Sequence, residues 1–82
     1  MVNLTYPVEE IKNGKDIVSF LSETGIFSSK GEARKMVQNG GISINRNKVN
    51  NVTDQVVAEQ LLHDQYLLVQ KGKKHYFLVK VS

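Results

Sequence analysis

Ser29–Val49, SKGEARKMVQNGGISINRNKV, places a helix start, a basic helix face, a helix stop, a strand and a turn one after another. Ser29 with Glu32 three positions on is the pattern of a capping box. In that motif the hydroxyl accepts from a free backbone N–H, and the carboxylate reaches back to the N–H of the cap residue. Ala33, Met36 and Val37 recur at i, i+3, i+4, which predicts a helix with one apolar stripe. Lys30, Arg34 and Gln38 fall on another face at i, i+4 steps, with Lys35 beside them. Gly40 and Gly41 stop the helix, since glycine adopts the left-handed conformation of a C-cap at little cost. Ile42-Ser43-Ile44-Asn45 alternates apolar with polar and predicts a half-buried strand. Asn45-Arg46-Asn47-Lys48 then predicts a turn, because asparagine tolerates positive φ, and Val49 begins a return strand.

Charge concentrates in the same stretch. Residues 30–50 carry Lys30, Arg34, Lys35, Arg46 and Lys48 against Glu32 alone, a balance of +4 within a chain whose net charge is +3. Residues 1–29 hold Glu9, Glu10, Asp16 and Glu23 against Lys12 and Lys15, and are net acidic. The remainder is nearly balanced, but Lys71, Lys73 and Lys74 share one turn. Clustering of this kind is the electrostatic footprint of a polyanion partner. The helix start at Ser29–Lys30 presents free N–H groups and a partial positive charge to a phosphate. The five cations add full charges, and Gln38, Asn39 and Asn45 add donors suited to sugar hydroxyls and base edges. Such contacts position a nucleic-acid backbone and carry little sequence information. Taken singly, Lys35 or Lys48 reads more readily as solvated surface; it is the grouping on one helix–turn–strand unit that points to RNA.

Working outward, residues 1–6 read as a connecting arm. Pro7 suits a first helical turn, with Val8–Ile11 as a short helix closing near Asn13-Gly14. Ile17, Phe20 and Leu21 repeat the helical spacing, Gly25 ends that helix, and Ile26 and Phe27 tuck the following turn onto the core. Residues 50–55 read as loop. Val56–Leu62 reads as a short helix, although Val56-Val57 fits a strand equally well. Tyr66–Gln70 and His75–Val81 are strands joined by the turn Lys71-Gly72-Lys73-Lys74. In the last strand Phe77, Val79 and Val81 alternate with Tyr76, Leu78 and Lys80, so both faces are largely apolar. One face packs on the helices and the other meets the arm or a neighbouring domain. The expected fold class is α+β, with N-terminal helices packed on a short antiparallel β-sheet that ends in a C-terminal hairpin. Residues 1–82 form one domain: arm and short helix (1–14), a two-helix-plus-strand motif (15–49), then connecting loop and hairpin (50–82).

Other chemistry finds little support. At 82 residues the chain is too small for a typical enzyme fold with a substrate pocket. It has no cysteine, which excludes disulfides and thiolate metal sites and fits a reducing, cytoplasmic setting. No stretch approaches the ~18 apolar residues of a membrane span, and the N-terminus lacks a signal-peptide core. The sequons at Asn3-Leu4-Thr5 and Asn51-Val52-Thr53 read as chance matches. His63 and His75 lack ligand spacing, with His75 joining the basic turn, and no phosphate-cradling glycine loop is present. Ser28 and Ser29 have no base assigned to them. No catalytic constellation, metal or cofactor is expected in this domain.

Residues 28–49, SSKGEARKMVQNGGISINRNKV, resemble the ribosomal-protein-S-four-type RNA-binding domain, also called the alpha-L motif. Ser29, Glu32-Ala33-Arg34, Gly40-Gly41 and Ile42-Ser43-Ile44-Asn45 stand in that family's order, over roughly residues 16–49. The flanks narrow the resemblance to C-terminal domains of bacterial tyrosyl-tRNA synthetases. They are the Lys30-Gly31-Glu32-Ala33-Arg34 spelling, the Ile17-Val18-Ser19-Phe20-Leu21 helix and the closing QYLLVQKGKKHYFLVKV with its Gly72-Lys73-Lys74 turn. This resemblance implies tRNA binding in protein biosynthesis, around the anticodon stem and long variable arm of tyrosine tRNA. It implies contacts at Ser29, Lys30, Glu32, Arg34, Lys35, Gln38, Asn45 and Lys48, and a second contact at the Lys71, Lys73 and Lys74 turn. Arg46 joins them on charge. Implied partners are the catalytic and anticodon-side domains of a homodimeric parent. The His-Ile-Gly-His-like and Lys-Met-Ser-Lys-Ser-like motifs of class I catalysis are absent, and Lys35-Met36-Val37 is only an echo of the second. ATP and magnesium would therefore belong to a catalytic domain outside these residues. The resemblance implies an excised domain, with Met1 an added start, that holds tRNA without aminoacylating it. Two other readings are a free-standing ribosomal-RNA-binding domain and a protein-interaction module docking through the C-terminal strand.

Overall fold

The computed structural model describes residues 2–63 and 65–82, the side chain of Ala58 excepted. Met1 and Asp64, and with them the reading of Met1 as an added start, lie outside the described residues.

The chain opens with strand β1 (Val2–Tyr6) and a 3-10 turn over Val8–Glu10, then a two-residue strand β2 (Lys15–Asp16). Helix α1 (Ile17–Glu23) and helix α2 (Lys30–Gln38) follow. Next come β3 (Ile42–Ile44), β4 (Asn47–Lys48) and β5 (Gln55–Val56), with a second 3-10 turn at Ala58–Gln60. The chain closes on β6 (Tyr66–Lys71) and β7 (His75–Val81). Five strands form one sheet in the order β1-β7-β6-β3-β4, and β2 pairs with β5 apart from it.

Alpha-plus-beta architecture is as the sequence predicts, but the sheet is mixed. Within the expected arm, Val2–Tyr6 is instead an edge strand. β1 runs parallel to β7, pairing Val2 with Phe77, Leu4 with Val79 and Tyr6 with Val81. Its period-two pattern sets Leu4 and Tyr6 inward against β7's apolar row while Asn3 and Thr5 stay in solvent. A parallel pairing needs no adjoining turn, so no local signal announces it. The other differences are small. Pro7 is the N-cap of a 3-10 turn and not part of a helix. Val56 pairs in a strand, with Lys15 opposite, and only one 3-10 turn follows.

Asp16 begins α1: its backbone is extended and its carboxylate accepts from the Ser19 N–H at 2.9 Å, satisfying one free donor of the first turn. Ile17, Val18, Phe20 and Leu21 are buried, as are Ile26 and Phe27 in the turn beyond Gly25. They pack with Ala33 and Val37 of α2 against the inward row Ile42, Ile44, Leu67, Val69, Val79 and Val81. Tyr6 meets Phe20 edge-on with ring centroids 5.1 Å apart, a favoured aromatic geometry. The Tyr6 hydroxyl donates to the Glu23 carboxylate, and the Lys15 ammonium lies 3.0 Å from Glu10 and 3.4 Å from Glu23. One polar cluster thus ties the edge strand to the end of α1.

Burial first, then the hydrogen bond to Glu23, pushes the Tyr6 phenol above its ordinary value of 10.0. The Ser19 N–H holds the Asp16 carboxyl below its ordinary 3.8, and the Tyr6 hydroxyl holds Glu23 below its ordinary 4.5. The depressed carboxyls stabilise the fold above those ordinary values, and this contribution is lost as pH falls through the folded-state values. The raised phenol contributes below pH 10.0 and is lost as pH rises past it. Denaturant titrations across pH should therefore show stability falling at both ends. Tyr6→Phe should shrink both falls, because one hydroxyl serves both groups.

Candidate nucleic-acid interface

Helix α2 begins as its sequence predicts and is capped slightly differently. The extended Ser29 places its hydroxyl to accept from the Glu32 N–H at 3.2 Å. The Glu32 carboxylate accepts from the Ser28 hydroxyl at 2.9 Å, so the return half of the capping box comes through the preceding side chain. With Ala33 and Val37 buried and Met36 half-buried, Lys30, Arg34, Lys35 and Gln38 are left exposed on the rest of the helix.

The helix ends in a Schellman motif. The Gly40 N–H donates to the Val37 carbonyl at 3.0 Å and the Gly41 N–H to the Met36 carbonyl at 2.9 Å, with Gly40 at φ +71°. A Cβ on Gly41 would sit 2.6 Å from the Met36 sulfur, and one on Gly40 would sit 2.6 Å from Lys48 Cε. The Lys48 side chain therefore crosses the C-terminal end of α2, where the helix dipole favours a cation. The Gly41 carbonyl in turn accepts from the Gly72 N–H at 2.7 Å, which seats the β6–β7 turn against the same junction.

Two residues, Asn45 (φ +52°) and Arg46 (φ +72°), make the β3–β4 turn. Positive φ at both central positions suits the twist of a two-residue hairpin, so Asn47 and Lys48 are already strand and not turn. Asn45 faces inward. Its backbone N–H donates to the Leu68 carbonyl at 2.7 Å, and its side-chain oxygen accepts from the Leu68 N–H at 2.9 Å. Its amide nitrogen donates to the Gln60 carbonyl. Lys71 is similarly engaged: its ammonium donates to the Ile26 carbonyl at 3.2 Å and lies 4.4 Å from the centre of the Phe27 ring. The exposed charge of that turn comes from Lys73 and Lys74, with His75 exposed beside them.

The structure thus brings Lys48 and the Lys73–Lys74 turn to the C-terminal end of α2, while Arg46 stands in the turn at the other end of β3, beside Leu68. Arg34, Lys35 and Gln38 lie along the helix, and Ser29 and Lys30 stand at its far end, about 13 Å away by helix rise. Among the described residues the ion pairs are those of Lys15 with Glu10 and Glu23, so none engages the cations of this surface. Also among the described residues, no group of three or more His, Asp or Glu side chains is arranged to hold a metal, and no helix is long and apolar enough to cross a membrane. Sequence reasoning missed the inward role of Asn45, whose partners lie 15 and 23 residues away. It also left unassigned the outward residues Gln70 and Tyr76, for which the two-sided apolar pattern of the last strand was the signal. Asn45→Gly keeps the positive φ and removes only the amide. It should cost about 1 kcal/mol in denaturant unfolding, the net value of a part-buried hydrogen bond, and should speed hydrogen exchange at the Leu68 amide.

With this geometry in place, comparison with known proteins is informative. The family described as Tyrosine--tRNA ligase SYY-like C-terminal domain matches residues 4–79. A tyrosine-tRNA ligase of Cytophaga hutchinsonii is 52% identical over 67 residues, covering 82% of this chain and 16% of that protein. One from Porphyromonas gingivalis is 48% identical over 80 residues, covering 94% of this chain and 19% of its own. The chain therefore spans less than a fifth of the length of these curated relatives. A solution structure of a tyrosyl-tRNA synthetase C-terminal domain superposes with a TM-score of 0.73 at 27% identity, covering 100% of this chain and 79% of that one. Family match, relatives and fold agree over nearly every residue, and the chain belongs to the SYY-like C-terminal domain family of tyrosine-tRNA ligases.

Proposed function

We propose that this chain binds tRNA, specifically the anticodon stem and long variable arm of tyrosine tRNA, as the appended domain of a tyrosine-tRNA ligase. The observation that carries the proposal is the set of exposed cations Lys30, Arg34, Lys35, Arg46, Lys48, Lys73 and Lys74, which join no ion pair among the described residues. They line α2, the β6–β7 turn and Lys48 at its end, and the β3–β4 turn beyond, on a domain whose relatives are tyrosine-tRNA ligases. The reading extends to the whole parent: a cytoplasmic homodimer whose catalytic and anticodon-side domains lie outside these residues and use ATP and magnesium.

Each side chain then has a role. The free N–H groups of the first turn of α2 and the Ser29 hydroxyl proton bind a phosphate, with Lys30 beside them. Arg34 and Lys35 neutralise phosphates along the strand, and Gln38 and Glu32 meet ribose hydroxyls as donor and acceptor. Arg46, Lys48, Lys73 and Lys74 hold the backbone beyond the helix end. Asn45 and Lys71 act by fixing the two turns that carry those charges. Other domains of the parent add avidity to what the isolated domain binds.

Filter-binding titrations with tyrosine tRNA over a range of salt concentrations test this. Affinity should fall steeply with salt, because each phosphate contact releases a counterion. Arg34→Ala with Lys35→Ala should lower affinity at least about tenfold and reduce the salt slope by about 2. Binding indifferent both to salt and to this double substitution would refute the proposal.

A further inference from the structure

Opposite the helices, the sheet has an open face. Alternation along β6 and β7 turns Leu67, Val69, Val79 and Val81 into the core and sends Leu68, Gln70, Tyr76 and Leu78 the other way. Cross-strand register sets Gln70 opposite Tyr76 and Leu68 opposite Leu78. The Tyr76 side chain is prominent there, 37% exposed. Arg46, Leu68, Gln70 and Tyr76 line one shallow depression, and Tyr66, Leu78 and Lys80 stand on an adjoining one beside β1. Among the described residues no acidic side chain lines either depression. A third hollow places Lys74 and His75 beside Tyr76, so the ring lies between Arg46 and Lys74.

We propose that the open sheet face around Tyr76 is a second RNA-binding surface that takes an unpaired nucleotide. The base stacks on the Tyr76 ring, the Gln70 amide meets its edge, and Arg46 holds the adjoining phosphate. Charge complementarity favours RNA over a protein occupant. Arg46, Lys74 and Lys80 rim the strip, and no carboxylate stands among its described lining residues to oppose a phosphate. Stacking on an aromatic ring is open to every base, so this face adds affinity without demanding a sequence. Among the described residues the Gln70 side chain makes one hydrogen bond, 3.5 Å long, to the Lys73 carbonyl. Arg46 makes the face continuous with the grip on α2, and the inference rests on that proposed grip.

Two RNA hairpins of one stem sequence, one blunt and one with a short unpaired extension, separate the two ideas in titrations of the 82-residue chain. Tyr76→Ala should weaken binding of the extended hairpin about tenfold while leaving the blunt one within about twofold, and Tyr76→Phe should restore it. In the unaltered chain the Tyr76 ring protons should shift upfield with the extended hairpin only, a readout that needs no variant to fold. Equal effects of Tyr76→Ala on both hairpins, or none on either, overturn the inference. So does a Tyr76→Ala variant that keeps its RNA affinity but loses association with the rest of the synthetase, since a protein then covers the face. Arg34→Ala with Lys35→Ala must weaken both hairpins. If it weakens neither, the α2 grip itself is wrong, and if neither hairpin binds the unaltered chain, both readings fall.

Discussion

The Gly40–Gly41 junction is the constraint on which the rest of this domain depends. Its first residue takes a left-handed backbone to close α2, and its second lies close under the Met36 side chain. Through the Gly41 carbonyl the junction also holds the β6–β7 turn. A side chain at Gly41 would have to push the flexible Met36 side chain aside. Because strand β3 starts immediately beyond, the angle between helix and sheet is set in the same few residues.

Rigidity at that junction makes a division of labour possible among the polar residues. Asn45 and Lys71, one near each turn, face the protein: the first extends the β3–β6 ladder with its own amide, the second clasps the loop between the helices. Arg46, Lys48, Lys73 and Lys74 are then presented from fixed turns and not from mobile ones. For a surface meeting a stiff, regularly charged partner, placing the charges beforehand matters more than their number, since ordering them on binding costs conformational entropy.

At the opposite side of the sheet, β1 closes the core. It covers the outer edge of β7 and carries Tyr6 onto Phe20 and Glu23. Exposed ion pairs such as Lys15 with Glu10 contribute little by themselves. The Tyr6–Glu23 hydrogen bond is the stronger tie, because its donor is buried and its acceptor is charged. Glu10, Asp16 and Glu23 gather at this end with Lys15 and Lys30 within electrostatic reach of them.

What the sequence by itself determined is local in reach. The Ser29 cap, the apolar stripes of both helices, the glycine stop, the Ile42–Ile44 alternation and the C-terminal hairpin all depend on neighbours within about four residues or across one turn. Those rules are short-range sterics and hydrogen bonds, and they operate before any fold exists. The basic residues were legible as a group for the same reason, since most stand on one such local unit, and the family likeness rested on the same motifs. Tertiary structure alone decided that residues 2–6 are a parallel edge strand, that Asn45 turns inward, that Lys71 is engaged by Ile26 and Phe27, and that Lys48 and the β6–β7 turn meet at Gly40–Gly41. Each of these joins residues far apart in the chain. Such contacts repay their loop-closure entropy only when the whole core has formed, and no window of sequence contains both partners.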